Sequence, residues 1–426
     1  GEIHMKEYLP RIADIVLSDR LEAKGAVLIE GPKWCGKTTT ALQKAKSVVY
    51  MQDPLDKEQN LALAELNPLQ LLKGKTPRLI DEWQLAPKLW DAIRFDVDKR
   101  DEFNQFILTG SFVPADDMSN SHSGTGRITR MTMRPMSLFE SKDSDGSVSL
   151  RSLFGSKNEI SADSNISIEE LAFLICRGGW PKAIGQSQRV ALQQAFDYVD
   201  SIVNKDASRV DGIAKNPQRM KNLLHSYSRF IASDAKITTI RDDMVANDVD
   251  TLNYNTVYTY ISALKKIFVV EDLPAWNPKL RSKTAIRTTD TRHFTDPSIA
   301  TASLGIGPQD LLDDLQTMGL FFENLCIRDL RVFAEALDGN VYHYRDKTDL
   351  ECDAVIHLRN GSFGLVEVKL GGSAIDTAAG NLLKLQERLD TNRMKHPSFL
   401  MILTGTKYAY TRKDGVHVVP IGCLGL

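Results

Sequence analysis

Cysteine is scarce and scattered in this chain. The five in 426 residues (Cys35, Cys176, Cys326, Cys352, Cys423) are odd in number and lack metal-ligand spacing. That excludes a disulfide framework and a cysteine zinc site, and it fits a reducing cytoplasm. No apolar run approaches the roughly 18 residues that cross a bilayer, so no membrane association is expected. Neither charge dominates: the formal net charge is −2, and any surface for nucleic acid must therefore be local. Gly1-Glu2-Ile3-His4 reads as an expression remnant ahead of Met5, and no leader is expected before the first strand. What remains is an ordinary globular composition, 42% hydrophobic and 25% charged. Its length suggests about three domains.

Against that background one stretch stands out. Gly31-Pro32-Lys33-Trp34-Cys35-Gly36-Lys37-Thr38 fits G-x-x-x-x-G-K-[ST] without mismatch. The apolar run Ala26–Ile29 before it predicts a strand, and Thr39 to Lys46 predicts a helix. A loop of backbone N–H groups at a helix start forms a nest for phosphate oxygens. Lys37 would reach the β- and γ-phosphates of ATP, Thr38 would hold Mg2+, and Thr39 would border the site, with Trp34 and Cys35 as bystanders in the variable part. Pro77-Arg78-Leu79-Ile80-Asp81-Glu82 predicts a strand ending in paired acids, one strand removed in sequence from the loop strand. Asp81 would bind Mg2+ through its water shell and Glu82 would orient the attacking water. Gln105–Ser111 predicts the next strand, placing Thr109 or Ser111 beside the γ-phosphate as a polar sensor. Arg127 and Arg130, after Gly124-Thr125-Gly126, are candidates for an arginine touching the γ-phosphate in cis or from a neighbouring subunit.

The middle carries less chemistry. Residues 141–167 are rich in Ser, Asp and Lys and read as a linker or exposed insertion. Residues 168–235 read as a helical lid or connector, with Gly178-Gly179-Trp180-Pro181 as a sharp stop and Val190–Val210 as an amphipathic helix. Tyr254–Lys266, followed by an expected strand at Ile267–Val270, resembles the second helix of a winged helix over 236–300. Lys279, Arg281, Lys283, Arg287 and Arg292 follow it and could meet DNA phosphates.

Over 305–426 the expected order is a long helix, Leu311–Leu337, then three strands, a helix and further strands. Asp353 and Glu367-x-Lys369 fall on adjacent strands, which is the PD-(D/E)xK nuclease pattern with Cys352 in place of its proline. Period 2 puts Glu367 and Lys369 on one face. Glu323, Asp353 and Glu367 could hold a second divalent metal, Mg2+ or Mn2+, that activates water against a phosphodiester. The same Glu-x-Lys could also be a plain cross-strand ion pair.

Taken together, these motifs resemble prokaryotic ATP-binding proteins in which an AAA-type P-loop domain precedes a C-terminal domain of unknown function. The resemblance rests on Gly31…Thr38, Leu79–Glu82, Leu108-Thr109-Gly110-Ser111, Gly126-Arg127, Gly178–Pro181, Phe322-Glu323-Asn324-Leu325 and Glu367-Val368-Lys369. It implies an α/β fold: a P-loop core over 5–140, a helical and winged-helix-like middle, and a restriction-endonuclease-like C-terminal domain. The expected function is Mg-dependent ATP hydrolysis to ADP, coupled to DNA binding or processing. The alternative is a nucleotide-dependent switch whose nuclease-like domain is inactive and makes protein contacts. A cytoplasmic location is expected, and a homo-oligomer is an open arrangement.

Overall fold

The computed structural model describes residues 7–114, 126–155, 159–210, 212, 214–246, 252–277, 288–389 and 394–426. The chain begins with helix Ile12–Ala23 and builds a first sheet from β1 (Ala26–Glu30), β2 (Ser47–Tyr50), β3 (Arg78–Asp81), β4 (Phe106–Gly110) and β5 (Ile128–Thr132). All pairings are parallel and the order is β2-β3-β4-β1-β5. A parallel sheet is covered on both faces, so its central strands carry apolar residues on both sides. In β1, Ala26 and Leu28 pack with Trp83, Leu89 and Ile93 on one side. Val27 and Ile29 pack with Leu17 and Leu21 of the first helix on the other. The order inserts β4 between β1 and β3, so the loops after all three open at one edge, where ligands of such sheets sit.

The second sheet takes β7 (Ser161–Asp163), β8 (Gly339–Arg345), β9 (Glu351–Leu358), β10 (Phe363–Lys369), β11 (Leu400–Thr404), β12 (Tyr408–Thr411) and β13 (His417–Pro420), ordered β7-β12-β13-β11-β10-β9-β8. Helix Leu315–Ala336 covers the face bearing Ala354, Ile356, Val366 and Val368. Helix Ile375–Arg388 covers the opposite face, bearing Val355, Leu365 and Ile402.

Four expectations are corrected here. Within 141–167, expected as a linker or exposed insertion, described residues pair and pack into the C-terminal half. Short strands β6 (Val148–Ser149) and β7 join this half of the molecule, β6 against β14 (Leu424–Gly425) and β7 at the sheet edge beside β12. The stretch has few apolar residues, but Val148, Leu150 and Leu153 are all buried, and strand pairing is carried by backbone groups whatever the side chains. Ile267–Val270 is a turn, not a strand, with Phe268 at φ 60 and a single bridge from Val270 to Phe294. The helix expected over Leu311–Leu337 is broken at Asp314, whose carboxylate accepts from the Thr317 N–H and caps a new helix. The helix expected over Val190–Val210 is α-helical over Gln188–Ser201, then winds as a π-helix over Ile202–Asp206.

An ionic cluster joins the segment after β5 to helix Leu315–Ala336. Glu271 accepts from Arg134, with Arg331 3.6 Å away. Burial pushes its carboxyl up, but these guanidiniums outweigh it and leave it at about 2. His293, fully buried beside this cluster, has a pKa lowered to about 3 by burial and by Arg331. A histidine held neutral in the fold but free to protonate when unfolded makes the unfolded state bind more protons below its ordinary pKa. The stability that the neutral imidazole contributes is therefore lost progressively as pH drops below its ordinary value towards about 3. His293→Gln should lose less stability than wild type between about pH 7 and pH 5. Denaturant midpoints at both pH values measure this, and equal losses would show that His293 takes up its proton while folded.

Candidate functional site

The turn after β1 is shaped by two glycines. Gly31 has φ 156, and a Cβ there would lie 2.0 Å from the Met133 carbonyl oxygen; Gly36 has φ 104. Only glycine adopts the first without collision, which brings the loop hard against the strand edge. Helix Lys37–Leu42 begins directly after Gly36, so its first N–H groups face the loop. Lys37 is buried, and its ammonium donates to the carbonyl oxygens of Gly31 (2.9 Å) and Pro32 (2.7 Å). Thr39 is exposed one residue beyond Thr38.

The acids at the end of β3 meet this loop. Thr38 Oγ1 donates to Asp81 Oδ1 at 2.6 Å, and Thr109 Oγ1 donates to the same oxygen at 2.9 Å. Glu82 follows the strand with φ 57, which turns its side chain away from the direction the strand would impose. Its N–H donates to Thr109 Oγ1 (3.0 Å), and its carboxylate accepts from Ser111 Oγ (2.7 Å) and Gln84 Nε2. Thr109 and Ser111 thus each hold one of the two acids. Beside them opens a cavity of about 460 Å³, lined by Lys33, Glu82, Ser111, Phe112, Tyr198 and Asp206 among others. Trp34 meets Tyr198 edge-on at 5.5 Å between centroids, and Tyr198 lies 4.3 Å from Trp180.

Sequence reasoning missed the brace behind the loop. Arg11 Nη1 donates to the Cys35 carbonyl (2.6 Å), Nη2 to the Arg134 carbonyl (2.7 Å), and Nε to Glu140 (2.9 Å). Glu140 also accepts from the N–H groups of Ile12 and Ser137. No local pattern announces a contact spanning 129 residues. Cys35, expected as a bystander, is the residue through which this brace grips the loop.

For Arg127 the expected contact in cis is corrected. Arg127 stands just before β5, whose first residue, Ile128, pairs with Ala26 at the start of β1. The phosphate loop follows the far end of β1, roughly 16 Å away at about 3.3 Å per residue. Arg127 pairs there with Asp98 and cannot serve its own loop in cis. Arg130 pairs with Glu30 and lies over the Trp90 ring.

In the C-terminal half the antiparallel β9–β10 ladder brings Asp353, Glu367 and Lys369 together. Lys369 Nζ lies 2.9 Å from Glu367 and 3.3 Å from Asp353, and Asp353 also accepts from the Val368 N–H (2.7 Å). Burial and the Asp353 charge raise the carboxyls of Glu367 and Glu323 well above their ordinary value. The lysine lies within ion-pair distance of both carboxylates. Among the described residues no group of three or more His, Cys, Asp or Glu is placed to hold a metal. This arrangement gives no support to the second metal expected on Glu323, Asp353 and Glu367. In the middle, Arg292, expected to face DNA, is buried and pairs with Asp272 at 2.6 Å, while Lys279, Arg281, Lys283 and Arg287 lie outside the described residues, as do Gly124 and Thr125.

A five-stranded parallel sheet with this order, a glycine-bent loop after β1 and paired acids after β3 define a P-loop core of the AAA type within a mixed α/β chain. Residues 23–142 match the family model described as an AAA domain, residues 168–310 a domain of unknown function (DUF8612), and residues 318–424 another (DUF4143). No curated protein matches the chain. Among solved structures, the chain is similar to the Walker-type ATPase of Pyrococcus abyssi, at 14% identity over 71% of this chain and 98% of that one, TM-score 0.44. It is also similar to the Aeropyrum pernix Orc1 protein solved in complex with DNA, at 11% identity over 70% and 94%, TM-score 0.23. Among the described residues no helix is long and apolar enough to cross a membrane.

Proposed function

We propose that the protein binds ATP at the loop Gly31–Thr38 and hydrolyses it to ADP and phosphate. The observation that carries this reading is the shared Asp81 oxygen, which ties the Thr38 hydroxyl at the loop to the Thr109 hydroxyl of β4. A hydroxyl and a carboxylate at hydrogen-bond distance are the oxygen donors that Mg2+ prefers. Thr38 and Asp81 would hold it, and it would neutralise charge on the β- and γ-phosphate oxygens. Glu82, oriented by Ser111 and Gln84, positions a water against the γ-phosphorus. The water oxygen bonds to phosphorus as the bond to the β–γ bridging oxygen breaks. The electron pair leaves on ADP, and the water's proton passes by way of Glu82 to solvent. Lys37 exchanges its two loop carbonyls for phosphate oxygens.

We propose in addition that the C-terminal half serves for contact rather than cleavage: Lys369 is paired with Asp353 and Glu367, and among the described residues no group of three or more His, Cys, Asp or Glu could hold a metal there. DNA is retained as a partner on one observation. Tyr254 and Tyr258 form a stacked, exposed pair on helix Tyr254–Lys266, a platform on which a base can stack. The test is one set of incubations of the full chain with supercoiled and linear DNA, Mg2+ or Mn2+, and ATP. Phosphate release without nicking is the expected result. Nicking that disappears in Asp353→Ala would assign cleavage to the C-terminal cluster, and absence of nucleotide uptake by calorimetry would remove the ATPase reading.

A further inference from the structure

Phosphoryl transfer spreads negative charge over the γ-phosphate, and a cation beyond the loop lysine and the metal ion commonly answers it. The arginines on and beside β5 are engaged elsewhere: Arg127 with Asp98 at the wrong end, Arg130 with Glu30, Arg134 with Glu271. Lys33 is different. It lies inside the phosphate loop, is half-buried, and lines the same cavity as Glu82 and Ser111. Lys57 also lines that cavity but is exposed to solvent.

Lys33 is not idle in this state. Its ammonium donates to the carboxylate of Asp206, which is buried and also accepts from Ser201 Oγ at 2.8 Å. Asp206 ends the π-helix Ile202–Asp206, the one-residue widening that interrupts the lid helix. Such π turns cost helix stability and recur at functional positions. Here the turn carries a carboxylate to the cavity that Lys33 and Glu82 share.

Resting on the ATPase reading above, we propose that Lys33 neutralises the γ-phosphate during hydrolysis, and that Asp206 holds Lys33 until ATP takes it. An ammonium beside two competing anions moves to the one with more charge. A γ-phosphate outweighs a single carboxylate; ADP, which lacks that group, does not. The Lys33–Asp206 contact is therefore open with ATP and closed with ADP. Because Asp206 belongs to the lid and Lys33 to the loop, the lid reads the presence of one phosphate. The edge contact of Trp34 with Tyr198 gives the same two elements a second, nucleotide-independent tether.

Full-length wild type, Lys33→Ala, Lys33→Arg, Asp206→Asn and the double variant Lys33→Ala/Asp206→Asn separate the possibilities. Phosphate release gives turnover; calorimetry gives affinity for ADP and for a non-hydrolysable ATP analogue. Lys33→Ala should lose turnover by about 10²–10³ while binding ADP within about threefold of wild type. That retained ADP affinity also shows the variant is folded. Lys33→Arg should regain at least about a tenth of wild-type turnover, since it keeps the charge. Asp206→Asn should bind the ATP analogue several-fold more tightly without a matching gain for ADP, and the gain should vanish in the double variant. Turnover of Lys33→Ala within about threefold of wild type would overturn the proposal while leaving the ATPase reading standing. Equal losses of ADP and analogue affinity would make Lys33 a general anchor and overturn it too. A wild type that releases no phosphate would remove both readings together.

Discussion

Lys37→Ala is expected to lower ATP turnover by at least about 10³-fold, with the protein still folded. The Lys37 ammonium is satisfied by two carbonyl oxygens of its own loop. Removing it takes away two hydrogen bonds, a stability loss of about 1–2 kcal/mol. The catalytic loss is far larger because the same ammonium must face a polyphosphate in a site partly closed to water, where charge is weakly screened. Glu82→Gln offers the contrast. It keeps the side chain's shape and its contact with Ser111 but removes the charge that draws a proton from water. It should bind ATP about as well as wild type and turn it over about 10²–10³-fold more slowly. Binding by calorimetry and single-turnover phosphate release distinguish the two. Full turnover in Lys37→Ala would refute the phosphate site itself, whereas full turnover in Glu82→Gln would move water positioning to another residue.

How far the sequence carries depends on the range over which each contact is set. The loop Gly31–Thr38 and the strand ending in Asp81-Glu82 are local, and each constrains its own few residues. Thr109 and Ser111 were legible because a strand end next to a P-loop strand faces the same ligand. Arg127 was placed by its adjacency to Gly126, yet its end of the sheet depends on β5 running parallel to β1 in a register that pairs Ile128 with Ala26. No residue near Arg127 encodes that register. Arg11 and Glu140, and likewise Lys33 and Asp206, are paired across long chain separations by packing alone. Residues 141–167 misled for the opposite reason: composition averages over a stretch, while three well-placed apolar residues and a few backbone hydrogen bonds suffice to anchor it. The C-terminal cluster was legible as a constellation, but whether a lysine or a metal would sit between its carboxylates is a matter of ångströms.

Arg328→Met is expected to be the most destabilising single change, at about 3–5 kcal/mol. Arg328 is 1% exposed and donates to Asp296 (2.9 Å) and Asp329 (2.9 Å), both equally buried. These two carboxylates hold separate parts of the chain. Asp329 accepts from the Leu138 N–H, at the end of the P-loop segment, and Asp296 from the N–H groups of Gly179 and Ser298. Ser298 in turn accepts from the Trp180 indole. The Gly178-Gly179 pair exists for this approach: a Cβ on Gly178 would lie 2.5 Å from Asp296 Oδ1, and one on Gly179 2.2 Å from the Met136 carbonyl oxygen. Methionine fills the space of the arginine stem but leaves two carboxylates without a counter-ion. Burial already pushes Asp329 up to about 6 against the pull of Arg328, so without the guanidinium this carboxyl should rise further. A carboxyl raised in the fold binds its proton more readily there than when unfolded. Its penalty therefore grows as pH rises above its ordinary value and fades as pH falls. The stability gap between Arg328→Met and wild type should be widest near about pH 8 and should narrow towards pH 5, as denaturant midpoints across that range would record. A gap that does not change with pH would mean that Asp296 and Asp329 find other partners, and that the junction between the P-loop core and the C-terminal half is held by packing rather than by this charge.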